Sequence, residues 1–159
     1  MAIEIERKYL VKNDNWRQHI TGSLHMIQGY LGGNENSSIR IRDSGNKADI
    51  NIKAKIVGSS RSEFEYMVPI SEAHEMLKEL CDKPLIEKTR HLVIHAEHIW
   101  EVDEFAGENA GLIVAEIELA SLNEPFQPPD WLGKEVTEDV RYYNICLVNH
   151  PYSSWEAVT

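Results

Sequence analysis

The chain has 159 residues, of which 42% are apolar, and its formal net charge is −10 at pH 7. This length suits one domain with a sizeable core, so we expect a single domain over residues 1–159. The acidic balance disfavours a broad surface for a nucleic-acid duplex, and no apolar run approaches the length of a membrane span. Two cysteines without metal-ligand spacing, and a strand that begins near Met1, indicate a cytoplasmic protein without a signal peptide.

Alternation of apolar and polar residues predicts eight strands. Two helical segments are predicted between strands and a third after the last strand. The predicted strands cover 2–12, 25–31, 38–43, 47–56, 61–69, 85–95, 99–105 and 112–119. Gly45 and Gly58 lie in turn-forming stretches, so the second to fifth strands are expected to form a hairpin-linked meander. Helices are predicted around 16–20, over 71–81 with Ser71 as N-cap, and over 140–148 as a closing element.

The first strand carries Glu4, Glu6 and Lys8 at alternate positions, which directs the three charged side chains to one face. Two carboxylates one strand pitch apart repel each other unless a divalent cation lies between them. A lysine one pitch further along is placed to hold an anion that this cation binds. The row therefore indicates a metal and phosphate site, although a solvated edge strand can show the same alternation.

Charged residues keep one parity in the later strands as well. These sets are Arg40 and Arg42; Lys53 and Lys55; Arg61, Glu63 and Glu65; Lys88 and Arg90; Glu101 and Asp103; and Glu116 and Glu118. Such faces can coexist if the sheet closes around a ligand-filled space. The apolar parity then points outward, where helices or a second subunit cover it, so a homodimer is one expectation. The aromatic residues expected to pack between barrel and helices are Trp16, Phe64, Tyr66, Trp100 and Trp131.

The order of these motifs resembles the CYTH superfamily, also called the triphosphate tunnel metalloenzymes. The resemblance covers nearly the whole chain and is specific because of its order: Glu4-x-Glu6-x-Lys8, Gln28-Gly29-Tyr30-Leu31, Arg40-x-Arg42, Lys53, Arg61-x-Glu63-x-Glu65, Lys88-x-Arg90, Asp103 with Phe105, Glu116-x-Glu118, Gly133-Lys134-Glu135-Val136-Thr137 and Arg141-Tyr142-x-Asn144. It implies an α+β, mainly β fold. The expected architecture is a closed eight-stranded antiparallel barrel, the triphosphate tunnel, with a charged interior and helices packed outside.

The chain looks most similar to the short, single-domain bacterial branch, whose characterised members are mainly inorganic tripolyphosphatases. This implies metal-dependent hydrolysis of the terminal phosphoanhydride of a small triphosphate, with inorganic tripolyphosphate as the first expectation. The alternatives are a class IV-type adenylyl cyclase, a nucleoside or thiamine triphosphatase, and a non-catalytic polyphosphate-binding module. Cyclases often carry a His-Phe pair before the acidic motif, whereas this chain has Met1, Ala2 and Ile3 there.

The resemblance, together with the preference of hard cations for carboxylate oxygens, implies one or two Mg²⁺ or Mn²⁺ ions. The expected metal ligands are Glu4, Glu6, Asp103, Glu116 and Glu118. The expected phosphate-binding residues are Lys8, Arg40, Arg42, Lys53, Arg61, Lys88 and Arg90. Lys8 and Tyr30 are the expected catalytic residues, and Tyr30 either lies beside Lys8 or serves as a packing residue. Lys55, Glu63 and Glu65 either line the tunnel or form a salt-bridge network, and Glu101 stays off the metal list because the family signature does not include it.

Overall fold

The computed structural model describes residues 1–55 and 60–156. In these residues the chain forms two α-helices and nine strands. The α-helices are α1 (Ile70–Glu79) and α2 (Asn144–Asn149), and short 3-10 helices lie at Asn15–His19, Gly107–Asn109, Val140–Tyr142 and Tyr152–Ser154. The strands are β1 (Ala2–Val11), β2 (Ile20–Asn34), β3 (Ser37–Asp43), β4 (Ala48–Ala54), β5 (Ser60–Val68), β6 (Ile86–His95), β7 (His98–Phe105), β8 (Ile113–Glu118) and β9 (Leu132–Glu135).

The first eight strands close into a ring in which every neighbouring pair is antiparallel. The order around the ring is β1, β5, β4, β3, β2, β6, β7 and β8, and β8 pairs with β1 again. The strand β1 closes the ring because its residues 2–5 pair with β5 while its residues 6–10 pair with β8. This confirms the predicted closed eight-stranded barrel and the meander of β2 to β5. The four-residue β9, which pairs with the end of β1, was not predicted because it is too short to show alternation.

The charged parity of the strands points into the ring and the apolar parity points out, as predicted. Trp16, Trp100 and Trp131 are almost fully buried in one outer cluster, where the rings of Trp100 and Trp131 meet edge to face at 5.6 Å. A second cluster lies under α1, and a third joins the barrel to the C-terminal segment. The apolar cores therefore lie outside the barrel, which leaves its interior to polar groups.

Two outward aromatics contradict the predicted packing. Phe64 and Tyr66 on β5 are 37% and 59% exposed, so they do not lie in a core between barrel and helix. The reason is the position of α1, which packs on β3 and β4 and leaves the outer face of β5 uncovered. The predicted N-cap was also wrong, since α1 begins at Ile70 directly after Pro69 and no side chain caps it.

The strand β2 is longer than predicted because its glycines interrupt the apolar pattern without ending the strand. Gly29 permits a close approach there, since a Cβ atom at this position would lie 2.8 Å from Cys81 Cβ. The predicted end of the fourth strand at Ile56 and the turn at Gly58 lie outside the described residues. Among residues 1–55 and 60–156, no helix is long and apolar enough to cross a membrane.

Candidate functional site

The inward side chains of the ring enclose a cavity of about 230 Å³. Its lining contains equal numbers of cationic and acidic residues, seven of each, besides six neutral ones. The cationic residues are Lys8, Arg40, Arg42, Lys53, Arg61, Lys88 and Arg90. The acidic residues are Glu4, Glu6, Glu63, Glu65, Glu101, Glu116 and Glu118. The neutral residues are Tyr30, Ser38, Asn51, Tyr143, Asn144 and Ile145.

The structure thus brings together all the residues predicted to bind phosphate, and all but one of the predicted metal ligands. Asp103 is not part of the lining, and Lys55, which follows β4 and is exposed, is not part of it either. Sequence reasoning left out Glu101, and the parity that it shares with Asp103 was the signal that could have included it. Of the neutral lining residues, Tyr30 was predicted as a catalytic residue and Asn144 was part of the tail motif. Ser38, Asn51, Tyr143 and Ile145 were missed, because they carry no charge that would mark them in the strand pattern.

One wall of the cavity is acidic. Glu6 on β1 lies opposite Glu118 on β8 in the strand register, and Glu4 lies one pitch further along β1. Burial raises the pKa of Glu6 to about 7, with repulsion from Glu116 and Glu4 adding to the effect and Lys8 opposing it. Burial, and then the charge of Glu4, also raises the pKa of Glu118. This wall therefore resists full ionisation unless a cation joins it.

The pKa of Glu6 gives a stability prediction for the metal-free protein. Because the folded pKa is about 7, against an ordinary 4.5, Glu6 stabilises the fold most below pH 4.5 and loses this contribution as the pH rises through 7. We expect Glu6→Gln to increase the free energy of unfolding by about 2–3 kcal/mol at pH 8 and to change it little at pH 4.5. Urea unfolding with a chelator present at both pH values measures this difference. Equal effects at the two pH values, or an equal gain from the exposed control Glu87→Gln, would contradict it.

Lys8 connects the acidic wall to the next strand. Its ammonium lies 2.8 Å from Glu116 Oε1 and 3.2 Å from Glu6 Oε1. Burial lowers the pKa of Lys8, but attraction to Glu116 and Glu6 outweighs burial, so the pKa is raised overall. The same attraction, with that of Arg90, overcomes burial and holds the pKa of Glu116 well below its ordinary value. Lys8 therefore stays charged and faces the cavity as a fixed cation.

Two tyrosines lie near Lys8 in the cavity. Tyr30 was predicted there; its hydroxyl accepts a hydrogen bond from Gln28 Nε2 at 3.1 Å, and the charge of Lys8 acts on its phenol. Tyr143 was not predicted, and the centre of its ring lies 5.9 Å from the Lys8 ammonium. Burial raises the pKa of Tyr30, so its phenol is neutral and keeps its proton.

The opposite wall is basic and carries mutually repelling cations. Burial, then the charges of Arg40 and Arg90, lower the pKa of Arg42 to about 10. Burial also lowers the pKa of Lys88 to about 7; Arg90 and Arg42 contribute, and Asp103 opposes. Arg40 Nε is buried without a hydrogen-bond partner in the described residues. Cations crowded in this way favour a bound anion, which would relieve both the repulsion and the missing contact.

Asp103 lies behind this basic wall rather than on its surface. Its carboxylate is fully buried and accepts hydrogen bonds from Lys88 Nζ at 2.7 Å and from Arg90 Nε and Nη2 at 2.8 and 2.9 Å. Glu101 lies on the other side of Arg90, and its Oε2 is 2.7 Å from Arg90 Nη1. These carboxylates fix the direction in which Arg90 presents its guanidinium.

Within the described residues, the formal charges of the lining leave no positive excess to neutralise a polyanion. Seven cations face seven glutamates, and Asp49 and Asp103 are buried next to the cations, so carboxyl groups outnumber cations by two. A triphosphate therefore requires a further positive charge when it enters. This argues for a divalent cation as part of the site.

The carboxylates that could hold such a cation lie on the acidic wall. Glu4 Oε1 is buried without a hydrogen-bond partner in the described part of the chain, and the raised pKa values of Glu6 and Glu118 favour a nearby positive charge. Within residues 1–55 and 60–156, no group of three or more His, Cys, Asp or Glu side chains is close enough to hold a metal by itself. The wall thus fits an ion such as Mg²⁺, which protein often binds through one or two carboxylates and which takes further oxygens from water and a phosphate ligand.

The comparisons with known proteins agree with this geometry. The family model of the CYTH domain matches residues 2–150. The chain belongs to the CYTH family. An inorganic triphosphatase of Acetivibrio thermocellus is 44% identical to this CYTH protein over 98% of the chain and 99% of the relative. An inorganic triphosphatase of Nitrosomonas europaea is 36% identical over 91% of the chain and 95% of the relative.

Solved structures show the same fold. A crystal structure of an inorganic triphosphatase is 32% identical to the CYTH protein, has a TM-score of 0.65, and covers 93% of this chain and 95% of its own. A protein of Pyrococcus horikoshii is only 20% identical but has a TM-score of 0.60 over 76% of this chain and 80% of its own. The similarity to the Pyrococcus horikoshii protein shows a shared fold and carries no information about activity.

The C-terminal segment of the CYTH protein closes part of the cavity. The predicted helix over 140–148 is divided into a 3-10 turn and the six-residue α2, and Tyr143 lies between them. Leu147 and Val148 pack in the same cluster as Phe105 and Val114 of the barrel. Tyr143 and the first residue of α2, Asn144, reach the cavity lining. The tail therefore contributes both packing and polar groups to the site.

Proposed function

We propose that this protein is a metal-dependent inorganic triphosphatase that hydrolyses the terminal phosphoanhydride bond of tripolyphosphate. The observation that carries the proposal is the 44% identity, over almost the full length of both chains, to an inorganic triphosphatase. The cavity supports it, because a small space with one basic and one acidic wall suits a short polyanion with a cation. The substrate is thus a small triphosphate rather than a nucleic-acid duplex.

The basic wall binds and aligns the phosphates in this proposal. The arginines donate forked hydrogen bonds to phosphate oxygens, and Lys53 and Lys88 contribute point charges. Phosphoryl transfer needs little covalent participation from protein groups, so alignment and charge stabilisation can supply most of the rate enhancement. Lys8, held by Glu116 and Glu6, is placed to stabilise the charge that develops on the reacting phosphate.

The acidic wall would hold one or two Mg²⁺ or Mn²⁺ ions, each through one or two of the carboxylates of Glu4, Glu6 and Glu118 together with water and phosphate oxygens. When bound, such an ion supplies charge neutralisation and Lewis-acid activation of a water. The metal roles of Glu116 and Asp103 stay predictions, because in this structure their oxygens accept hydrogen bonds from Lys8, Lys88 and Arg90. We propose that Asp103 orients Lys88 and Arg90 and does not bind the metal ion.

The proposal is tested by product analysis with purified protein and Mg²⁺ or Mn²⁺. We expect tripolyphosphate to be converted to pyrophosphate and phosphate with a higher kcat/KM than ATP or thiamine triphosphate, and no turnover with a chelator present. Conversion of ATP to cyclic AMP would favour the cyclase alternative. Binding of tripolyphosphate without hydrolysis of any substrate would favour a binding module, and either result would overturn the proposed activity.

A further inference from the structure

One buried amide, Gln28, and one half-buried amide, Asn144, connect the phosphate-facing cations of different strands to the helix α2. Gln28 on β2 is 0% exposed, and its Oε1 accepts from Arg42 Nε at 3.2 Å. Its Nε2 donates to the Tyr30 hydroxyl and to Asn144 Oδ1, both at 3.1 Å. Asn144 Oδ1 also accepts from Lys88 Nζ at 2.9 Å. The amide relay of Gln28 and Asn144 thus runs from Arg42 on β3 to Lys88 on β6.

Arg42 and Lys88, at the two ends of this relay, fix which group donates and which accepts in every hydrogen bond between them. Arginine and lysine side chains carry donors and no acceptor, so an amide oxygen must face each of them. Gln28 therefore turns Oε1 to Arg42 and its NH₂ group to Tyr30 and Asn144. Asn144 turns Oδ1 to Lys88, and the same oxygen receives the Gln28 amide.

This orientation determines what the cavity presents to a ligand. The Tyr30 oxygen already accepts from Gln28, so its own hydrogen remains available to the cavity that Tyr30 lines. The relay oxygens are occupied by protein donors. Ionised phosphate oxygens are acceptors, so a lining that uses up its own acceptors and leaves donors free is complementary to them.

We propose that Gln28 and Asn144 are positioning residues that hold the Tyr30 hydroxyl, Arg42 and Lys88 in donor-ready directions for the triphosphate. The inference rests on the proposed function for the identity of the ligand, and it assigns these roles to two neutral residues. It also gives α2 a part in binding, because Asn144 is the first residue of that helix and reaches Lys88 across the cavity wall.

The relay makes opposite predictions for two isosteric acid substitutions. Asn144 uses only its oxygen in these bonds, so a carboxylate in Asn144→Asp can still accept from Gln28 and Lys88. Gln28 needs its NH₂ group, so Gln28→Glu removes two donors and forces Tyr30 to donate away from the cavity. Both changes add one negative charge, which makes each the charge control of the other.

We expect Gln28→Glu to raise the KM for tripolyphosphate by about tenfold to a hundredfold, and Asn144→Asp to raise it by no more than about a third as much, because only the added charge acts there. Asn144→Leu should raise KM by about tenfold, and kcat should change less than KM in each case. Tyr30→Phe should raise the KM about tenfold in the wild-type background and less than about twofold in the Gln28→Glu background. Asn109→Leu is the matched structural control, because Asn109 is a buried amide that accepts from the Tyr152 backbone and lies outside the cavity lining.

The same variants are tested for binding of tripolyphosphate with Mg²⁺ by calorimetry, which separates the relay from the proposed activity. Wild-type binding without turnover would defeat the hydrolase proposal while the dissociation constants still test the relay. Equal effects of the two acid substitutions on both KM and Kd would overturn the relay. A KM change in Asn109→Leu as large as in Asn144→Leu would show that Asn144 acts only through stability. If Gln28→Glu does not fold, the comparison of Asn144→Leu with Asn144→Asp decides: equal effects of these two variants would overturn the relay.

Discussion

Replacement of Glu4 by glutamine is expected to abolish turnover while the fold is retained. Glu4 Oε2 lies 2.7 Å from Lys53 Nζ, whereas Oε1 is buried on the acidic wall without a hydrogen-bond partner in the described residues and is placed to bind an ion. Glutamine keeps the volume and removes the charge. If the bound cation contributes about 3–5 kcal/mol to the transition state, kcat/KM falls by about two to four powers of ten.

The measurement is kcat/KM for tripolyphosphate at saturating Mg²⁺, combined with calorimetric titration of Mg²⁺ in the presence of the substrate. Glu87→Gln, on the outer side of β6, serves as the control and should retain normal kinetics. Near-normal turnover or unchanged Mg²⁺ affinity in Glu4→Gln would remove Glu4 from the metal site. A far-ultraviolet circular dichroism spectrum and a thermal unfolding curve establish that the variant is folded.

Tripolyphosphate is expected to be preferred to pyrophosphate by about two to four powers of ten in kcat/KM. The cations of the lining are distributed over β1, β3, β4, β5 and β6, so a ligand with three phosphates can contact more of them than a ligand with two. Pyrophosphate leaves some cations repelling each other; the pKa of Arg42, lowered first by burial and then by the charges of Arg40 and Arg90, shows how close these cations lie. The figure assumes that two charged hydrogen bonds are lost, at roughly 1.5–3 kcal/mol each.

A competition assay with both substrates in one reaction gives this ratio directly. Arg40→Ala should reduce the preference, because Arg40 lines the cavity, and Arg17→Ala should not, because Arg17 pairs with Glu104 on the outside. Equal efficiency with both substrates would show that the distribution of cations does not make the site selective for the longer phosphate chain. An unchanged ratio in Arg40→Ala would place that residue outside the contact set.

The barrel and most of its lining could be predicted because a strand converts sequence parity into a side-chain direction. Lys8 and Arg42 were assigned to the interior from their spacing alone, and the structure brings both into the cavity. The exposure of Phe64 and Tyr66 could not be predicted, because parity gives the outward direction but not the strand that a helix covers. The place of Asp103 behind Arg90 depends on side-chain reach, and sequence spacing carries no information about it.

The neutral residues of the site illustrate a second limit. Gln28 and Asn144 are separated by 116 positions, and their bond arises only when the tail folds back onto the ring. Nothing in the neighbourhood of either residue marks an amide as a partner of an arginine or a lysine. The family tail motif included Asn144, but a motif gives a position without a contact.

The way β1 closes the ring has a consequence for how the enzyme acquires its site. Lys8 and Glu116 are 108 positions apart, so the pairing of β1 with β8 joins the two ends of the segment that forms the ring. Pairings of such long range are slow to form, because the loop must close before any contact compensates for the lost entropy. The same pairing places Glu6 opposite Glu118, and, besides burial, the charge of Glu6 contributes to the raised pKa of Glu118. The contact that closes the barrel therefore also assembles the acidic wall, and a cation bound to that wall would stabilise the closed ring.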